Sequence, residues 1–381
     1  MEQFFPMQIT ENTVSENHTK EHMYIQPRHG ENSILSGRDV WRITLMRNRI
    51  LFVFITFSAA LLLSGCFFGV LGIPDNQLIT NTIAGHEQSL ESVLRSIPEE
   101  YINEARTTFH IAYQHTSHGT HVSRGMHGLE QYKAGDDVLF GISNSPEEAE
   151  EEGKLDFRDC YHGGGIPGAD YDLSVADDSW DQWLNQNRAF LDDPANAEID
   201  VILWSWCNIG DHDVVQYCTL MQVLIDEYGE NGTKIGTGAG DTRTVPVHFI
   251  FMTGHGNGAG NPNPGQPESQ ARIITDFCEA NGYFCLDFFS NDSHTMEGVY
   301  YIDAGDNGNS STYQATVPGA SDSFNRDWQD SHILGTDYFQ GRNGAGGPVS
   351  FGDHTDQHIT LNRNAYALWW ILARMAGWGE E

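Results

Sequence analysis

Residues 199–206, "IDVILWSW", are almost unbroken in apolar character, and so are residues 245–253, "VPVHFIFMT". A strand covered on one face alternates apolar and polar positions, so runs like these predict parallel strands buried on both faces. Residues 107–114, "TTFHIAYQ", and 283–289, "YFCLDFF", read as two more strands from their β-branched and aromatic content, and 157–161 as a shorter one. Between them the apolar period changes. Trp180, Trp183, Leu184 and Phe190 share one face of a helix over 179–191. Val214, Val215, Cys218, Met221, Leu224 and Ile225 do the same over 214–228, and residues 120–132, 268–280 and 361–377 predict further helices. Residues 133–175 are rich in Gly and Asp and read as irregular, including the acidic run 147–152. Strands alternating with helices predict the α/β class: a three-layer α/β/α domain around a central parallel sheet, without internal repeats or a second domain.

The pattern near the start of the chain is of another kind. Met46-Arg47-Asn48-Arg49 is basic, residues 50–63 are uncharged and mostly apolar, and "LSGC" follows at 63–66. That is the architecture of a secretory signal. Its ending looks like a bacterial lipobox, which implies lipidation at Cys66 and a membrane anchor outside the cytoplasm. Because apolar character continues to Ile73, the run is also long enough for an uncleaved span. Residues 1–45 are polar and aperiodic and read as a leader ahead of a start at Met46. The expected organisation is therefore leader (1–45), signal (46–66), linker and N-terminal helix (67–104) and one catalytic-type domain (105–381).

Charge narrows the partners. Of 381 residues, 53 are Asp or Glu and 20 are Lys or Arg, a net of −33. Such a surface repels phosphate backbones, so nucleic acid is set aside. Past Cys66 five cysteines remain, with no CxxC among them. A Cys278–Cys285 disulfide is expected to be geometrically accessible, and Cys207–Cys218 is a weaker pairing.

In open parallel sheets chemistry collects at the carboxyl ends of the strands. Those ends read His115-Thr-Ser117-His118-Gly119, Cys207-Asn208 and Gly254-His255-Gly256-Asn257. Ser117, between a strand and a helix start, is the candidate nucleophile. A serine needs a base to remove its proton, and "FGDHTDQHITLN" offers His358, or His354, with Asp356 and Asp353 to orient it. Asn208 and a glycine of "HGGGIPG", Gly164 above all, are candidate oxyanion donors. His118, His255 and Asn257 would line a substrate. A metal reading also exists, since His115, His118 and His121 form H-x-x-H-x-x-H. Straddling a strand end and a loop, those side chains are expected to diverge, so no metal or other cofactor is assigned. The loop "YIDAGDNGNSST" at 301–312 has oxygen donors for a structural Ca²⁺ but lacks the closing Glu of an EF-hand.

Taken together, serine after the first strand, glycines in the second loop, asparagine after the next core strand and a histidine near the end resemble the SGNH (GDSL-like) hydrolases. More narrowly, "HTSHG", "WSWC", "MTGH" and the closing "LNRNAYALWWILARMAGW" are similar to a group of secreted bacterial SGNH-like proteins, over roughly residues 105–378. The resemblance implies a flavodoxin-like α/β/α fold and serine-catalysed ester hydrolysis, often of acetyl groups on carbohydrate. Non-catalytic glycan binding on the same fold is the alternative. The chain has no Gly-Asp-Ser, its third block lacks Gly-x-Asn-Asp, and Thr355 stands three before His358 where the family has Asp.

Overall fold

The computed structural model describes residues 81–161, 173, 179–344, 347, 354–355 and 357–379, all within the unit Asp75–Glu381. The expected leader, signal and lipidation site at Cys66 lie outside the described residues.

Seven strands form one parallel sheet in the order β1-β7-β6-β5-β2-β4-β3. They are β1 Ile83–Ala84, β2 His110–His115, β3 Ile142–Ser143, β4 Leu155–Tyr161, β5 Val201–Trp204, β6 His248–Met252 and β7 Cys285–Leu286. The helices of ten or more residues are α1 Glu99–Thr108, α2 Thr120–Leu129, α3 Trp180–Asp192, α4 Val214–Tyr228, α5 Pro267–Asn281 and α6 His358–Met375. The α/β/α expectation holds.

Each central strand divides its side chains between two cores, as the two-residue period of a strand requires. Ile111 and Tyr113 of β2, Val201 and Leu203 of β5, and Ile250 and Met252 of β6 join α1, α2 and α6 on one face. Ala112, Ile202, Trp204, Phe249 and Phe251 join α3, α4 and α5 on the other. With both faces covered, no position of these strands can be polar without a partner, which is why they read as continuous apolar runs. Trp204 and Trp206 are core residues whose indoles donate to Gln114 Oε1 (2.9 Å) and the Met252 carbonyl (3.0 Å), tying the tips of β2, β5 and β6 together.

Several local expectations shift. Thr107 and Thr108 end α1 rather than begin a strand, because the amphipathic run Glu99–Thr108 continues through them, with Phe109 N–H still donating to Ala105. The stretch 283–289 contributes only two strand residues. Asp287 accepts from Ser290 N–H and caps a helix at Phe288–Ser293, and capping ends the strand. The acidic run is a helix, Pro146–Glu152, capped by Ser145, with Pro at its first position. Cys278 and Cys285 are hydrogen-bonded neighbours in the apolar core but stand as thiols, as does Cys218 in the same cluster, and Cys207 lies elsewhere, beside His118. No helix among the described residues is long and apolar enough to cross a membrane.

Candidate active site at the carboxyl ends of the strands

Strand order locates the crevice. From β2 the chain proceeds to β3 and β4 on one side, whereas from β5 it proceeds to β6 and β7 on the other. The connections diverge between β2 and β5, and their tips bound the opening where such sheets take ligands. Ser117 and His118 follow β2, and Cys207 and Asn208 follow β5.

Ser117 opens a short 3₁₀ turn, Ser117–Gly119, that runs directly into α2. Its φ is +44°, in the left-handed region that a residue with a Cβ occupies only at a cost. The turn is held by Gly119 N–H to the Thr116 carbonyl (2.8 Å), by Thr120 Oγ1 to the Ser117 carbonyl (2.5 Å), and by Tyr113 OH to the Gly119 carbonyl (2.7 Å). Gly119 is required sterically: a Cβ there would overlap Ser205 Oγ and the Cβ of His115. Ser117 stays partly exposed at the mouth.

Of the three histidines of this segment His115 stands apart, whereas His118 and His121 stay in edge contact (ring centroids 5.7 Å apart). His115 pairs with Asp159 and stacks on Tyr113 (4.5 Å), and His121 packs by Phe288. His118 turns into the crevice, sandwiched between His255 (ring centroids 3.6 Å apart, 14°) and His354 (4.1 Å, 14°). Its Nδ1 lies 3.8 Å from Cys207 Sγ and its Nε2 lies 3.3 Å from Asp306 Oδ2. Burial alone would favour the neutral ring, but the hydrogen bonds with Asp306 and Cys207 outweigh it and carry His118 up to about 9. Asp306 is held below the usual carboxylate range: the His118 bond and charge prevail over its own burial. His255 goes the other way. Burial, then the charge of His118, pushes it down to about 4, and it donates from Nδ1 to the Gly256 carbonyl (2.8 Å). Behind it Asp292, wholly buried, accepts from Gly256 N–H (3.2 Å) and is pushed up to about 8 by that burial.

Asn208 and Asn257 also meet. Asn208 Oδ1 accepts from Gly210 N–H (3.0 Å) and from Asn257 Nδ2 (2.8 Å), which orients the amide with its donor end opposite. The two histidines near the end of the chain separate. The ring of His354 stacks on His118, whereas His358, the first residue of α6, accepts from Gly341 N–H at Nδ1 (3.3 Å) and has Tyr338 beside it. Burial lowers the His358 pKa. Asp353, Asp356 and Gly164 lie outside the described residues. Thus Ser117, His118, Asn208, His255 and Asn257 gather at one edge of the sheet, with His354 joining them.

Two members of the site went unassigned in the sequence. Asp306 was visible only as one oxygen donor of an acidic loop. In the structure Asp303 of that loop accepts from Ser310 and Ser311 hydroxyls (2.7 Å each), while Asp306 faces His118. Cys207 had no signal beyond its place after a core strand. No family model, curated protein or solved structure matches the chain.

Proposed function

We propose that the domain hydrolyses carboxylic esters, with Ser117 as nucleophile. The observation that carries this reading is the left-handed backbone of Ser117 at the tip of β2, where strand order opens the crevice. Strain of this sort in a non-glycine residue persists only where the surroundings impose it, and it concentrates at functional positions. Here it presents the hydroxyl at a helix start, where the backbone favours a developing anion.

His354 is the base favoured by the described contacts, because its ring reaches the residue next to Ser117. His358 is its rival, and Asp353 or Asp356 is the residue to orient the imidazole. Ser117 Oγ attacks the ester carbonyl as the base takes its proton. The tetrahedral oxyanion is met by the Ser117 N–H, by Asn208 and by a glycine N–H of the 163–165 stretch. Collapse expels the alcohol, which receives the proton, and water repeats the sequence on the acyl-serine. His118, His255 and Asn257 line the approach. Resemblance to the SGNH group supports acetyl esters of carbohydrate as the substrate class. The reading includes export and lipid anchoring at Cys66, which rest on residues 46–66 alone.

The test is release of p-nitrophenol from its acetate ester by the wild type and by Ser117→Ala, His354→Gln and His358→Gln. Loss of the hydroxyl or of the true base should cost about 10³-fold or more in kcat/KM. Hydrolysis that survives Ser117→Ala undiminished removes the serine mechanism. A catalytic loss in His358→Gln with none in His354→Gln returns the base to His358.

A further inference from the structure

Three donor groups from three separate segments close around one point beside Ser117. One ligand atom each from His118, Cys207 and His354 lies within 4.8 Å of the other two. Their environment is graded: His118 is buried, Cys207 half-buried and His354 exposed, so the point is walled by protein yet open to solvent on one side. We infer that His118, Cys207 and His354 form a site for a zinc-type divalent cation, with a fourth position open to water or to an anionic group.

Geometry and donor chemistry carry this. Tetrahedral zinc with Zn–N of about 2.0–2.1 Å and Zn–S of about 2.3 Å sets an N···S edge of about 3.6 Å. The Nδ1 of His118 and the sulfur of Cys207 stand 3.8 Å apart, so an ion fits between these two with side-chain adjustments of a few tenths of an ångström. His354, whose ring lies nearly parallel on that of His118, has to turn out of the stack to aim a nitrogen lone pair at the ion, a rotation its exposed position allows. One thiolate with two imidazoles is a borderline-soft set suited to zinc and its neighbours rather than to Ca²⁺ or Mg²⁺. The outer shell is also in place. Asp306 engages the Nε2 of His118, the nitrogen directed away from Cys207, as a carboxylate does when it fixes the tautomer of a metal-bound histidine. His255, stacked on the opposite face from His354, fixes the plane of the same ring. A thiol–imidazole pair acting as a nucleophile would have no need of the third donor; a cation would. This site differs from the H-x-x-H-x-x-H run, of which only His118 takes part.

The site stands whether or not Ser117 is a nucleophile. One consequence rests on the ester-hydrolase reading: an ion on His354 occupies the lone pair that would accept the proton of Ser117, so metal loading and hydrolysis exclude each other.

Cobalt(II) titration of chelator-stripped protein tests the site directly. Wild type should show, saturating at one equivalent, the visible bands of tetrahedral cobalt and a thiolate-to-cobalt charge-transfer band, both displaced by Zn²⁺. Cys207→Ser should lose the charge-transfer band, and His354→Gln, changed at an exposed position, should bind at least about tenfold more weakly. Ser117→Ala should bind like wild type, which separates this result from any failure of the esterase assay. No charge-transfer band in wild type overturns the proposal, as does a band that survives Cys207→Ser or an affinity that His354→Gln leaves unchanged.

Discussion

The backbone of Ser117 offers a measurement that most candidate nucleophiles do not. At a φ of +44° a side chain bearing a Cβ pays about 1–2 kcal/mol, and glycine pays none of it. Glycine in turn loses about 0.5–1 kcal/mol more conformational entropy on folding than alanine does. At an ordinary position the second effect decides and alanine is the more stable replacement. At position 117 the first should prevail, leaving Ser117→Gly more stable than Ser117→Ala by roughly 0.5–1 kcal/mol. Both replacements remove the hydroxyl, so whatever Oγ contributes to stability cancels between them. Urea unfolding followed by tryptophan fluorescence reads the difference as a shift in midpoint at constant slope. Both variants should be equally inactive on p-nitrophenyl acetate. An alanine variant as stable as the glycine variant, or more so, would show that position 117 is not strained and would remove the main support for its role.

Two further predictions concern the frame around the site. Gly125 of α2 packs on α6, where a Cβ would overlap the Leu361 carbonyl and lie 3.0 Å from the Cβ of Ala365. Gly125→Ala should therefore destabilise by about 1–2 kcal/mol net, overpacking of about 2–3 kcal/mol against a backbone carbonyl outweighing the gain of about 1 kcal/mol in helix propensity. Moving α6 also shifts the segment carrying His354, so activity should fall with thermal stability; an unchanged melting temperature refutes the close contact. Asp200, buried beside β2 with its carboxylate accepting from His110 N–H (2.7 Å), is pushed up to about 6 by burial, against His110 and Arg243 nearby. Between about pH 4 and 6 the native state therefore holds the Asp200 proton more tightly than the unfolded chain does. This group alone should lower stability by up to about 3 kcal/mol as pH rises through that window, and change nothing above it. Asp200→Asn should gain on wild type in denaturant titrations between pH 4 and 6.5; parallel pH profiles would rule this out.

The layers of this domain were written in local pattern. Runs such as "VILW" and "FIFM" are buried on both faces, and an apolar helical face such as that of 214–228 needs a partner layer, so the α/β class followed from residue type and spacing, whereas the short edge strands β1 and β3 gave no such pattern. That Ser117 and Asn208 follow strand tips was legible for the same reason: a strand tip is a place in the sequence as well as in space. Local competition was less legible. Asp287 captures the backbone of Ser290 and ends β7 after two residues, a contest between neighbouring hydrogen bonds that apolar count does not weigh.

Only the tertiary structure decided which side chains meet. His118, Cys207, His354 and Asp306 come from four segments, and nothing in the spacing of any one of them specifies the others. His358 is the first choice of base along the chain and His354, four residues earlier, its alternative. The ring of His354 lies on His118, and that of His358, at the start of α6, is beside Gly341. Secondary structure reflects energies set by near neighbours, whereas a site is set by where strands and helices are forced to pack.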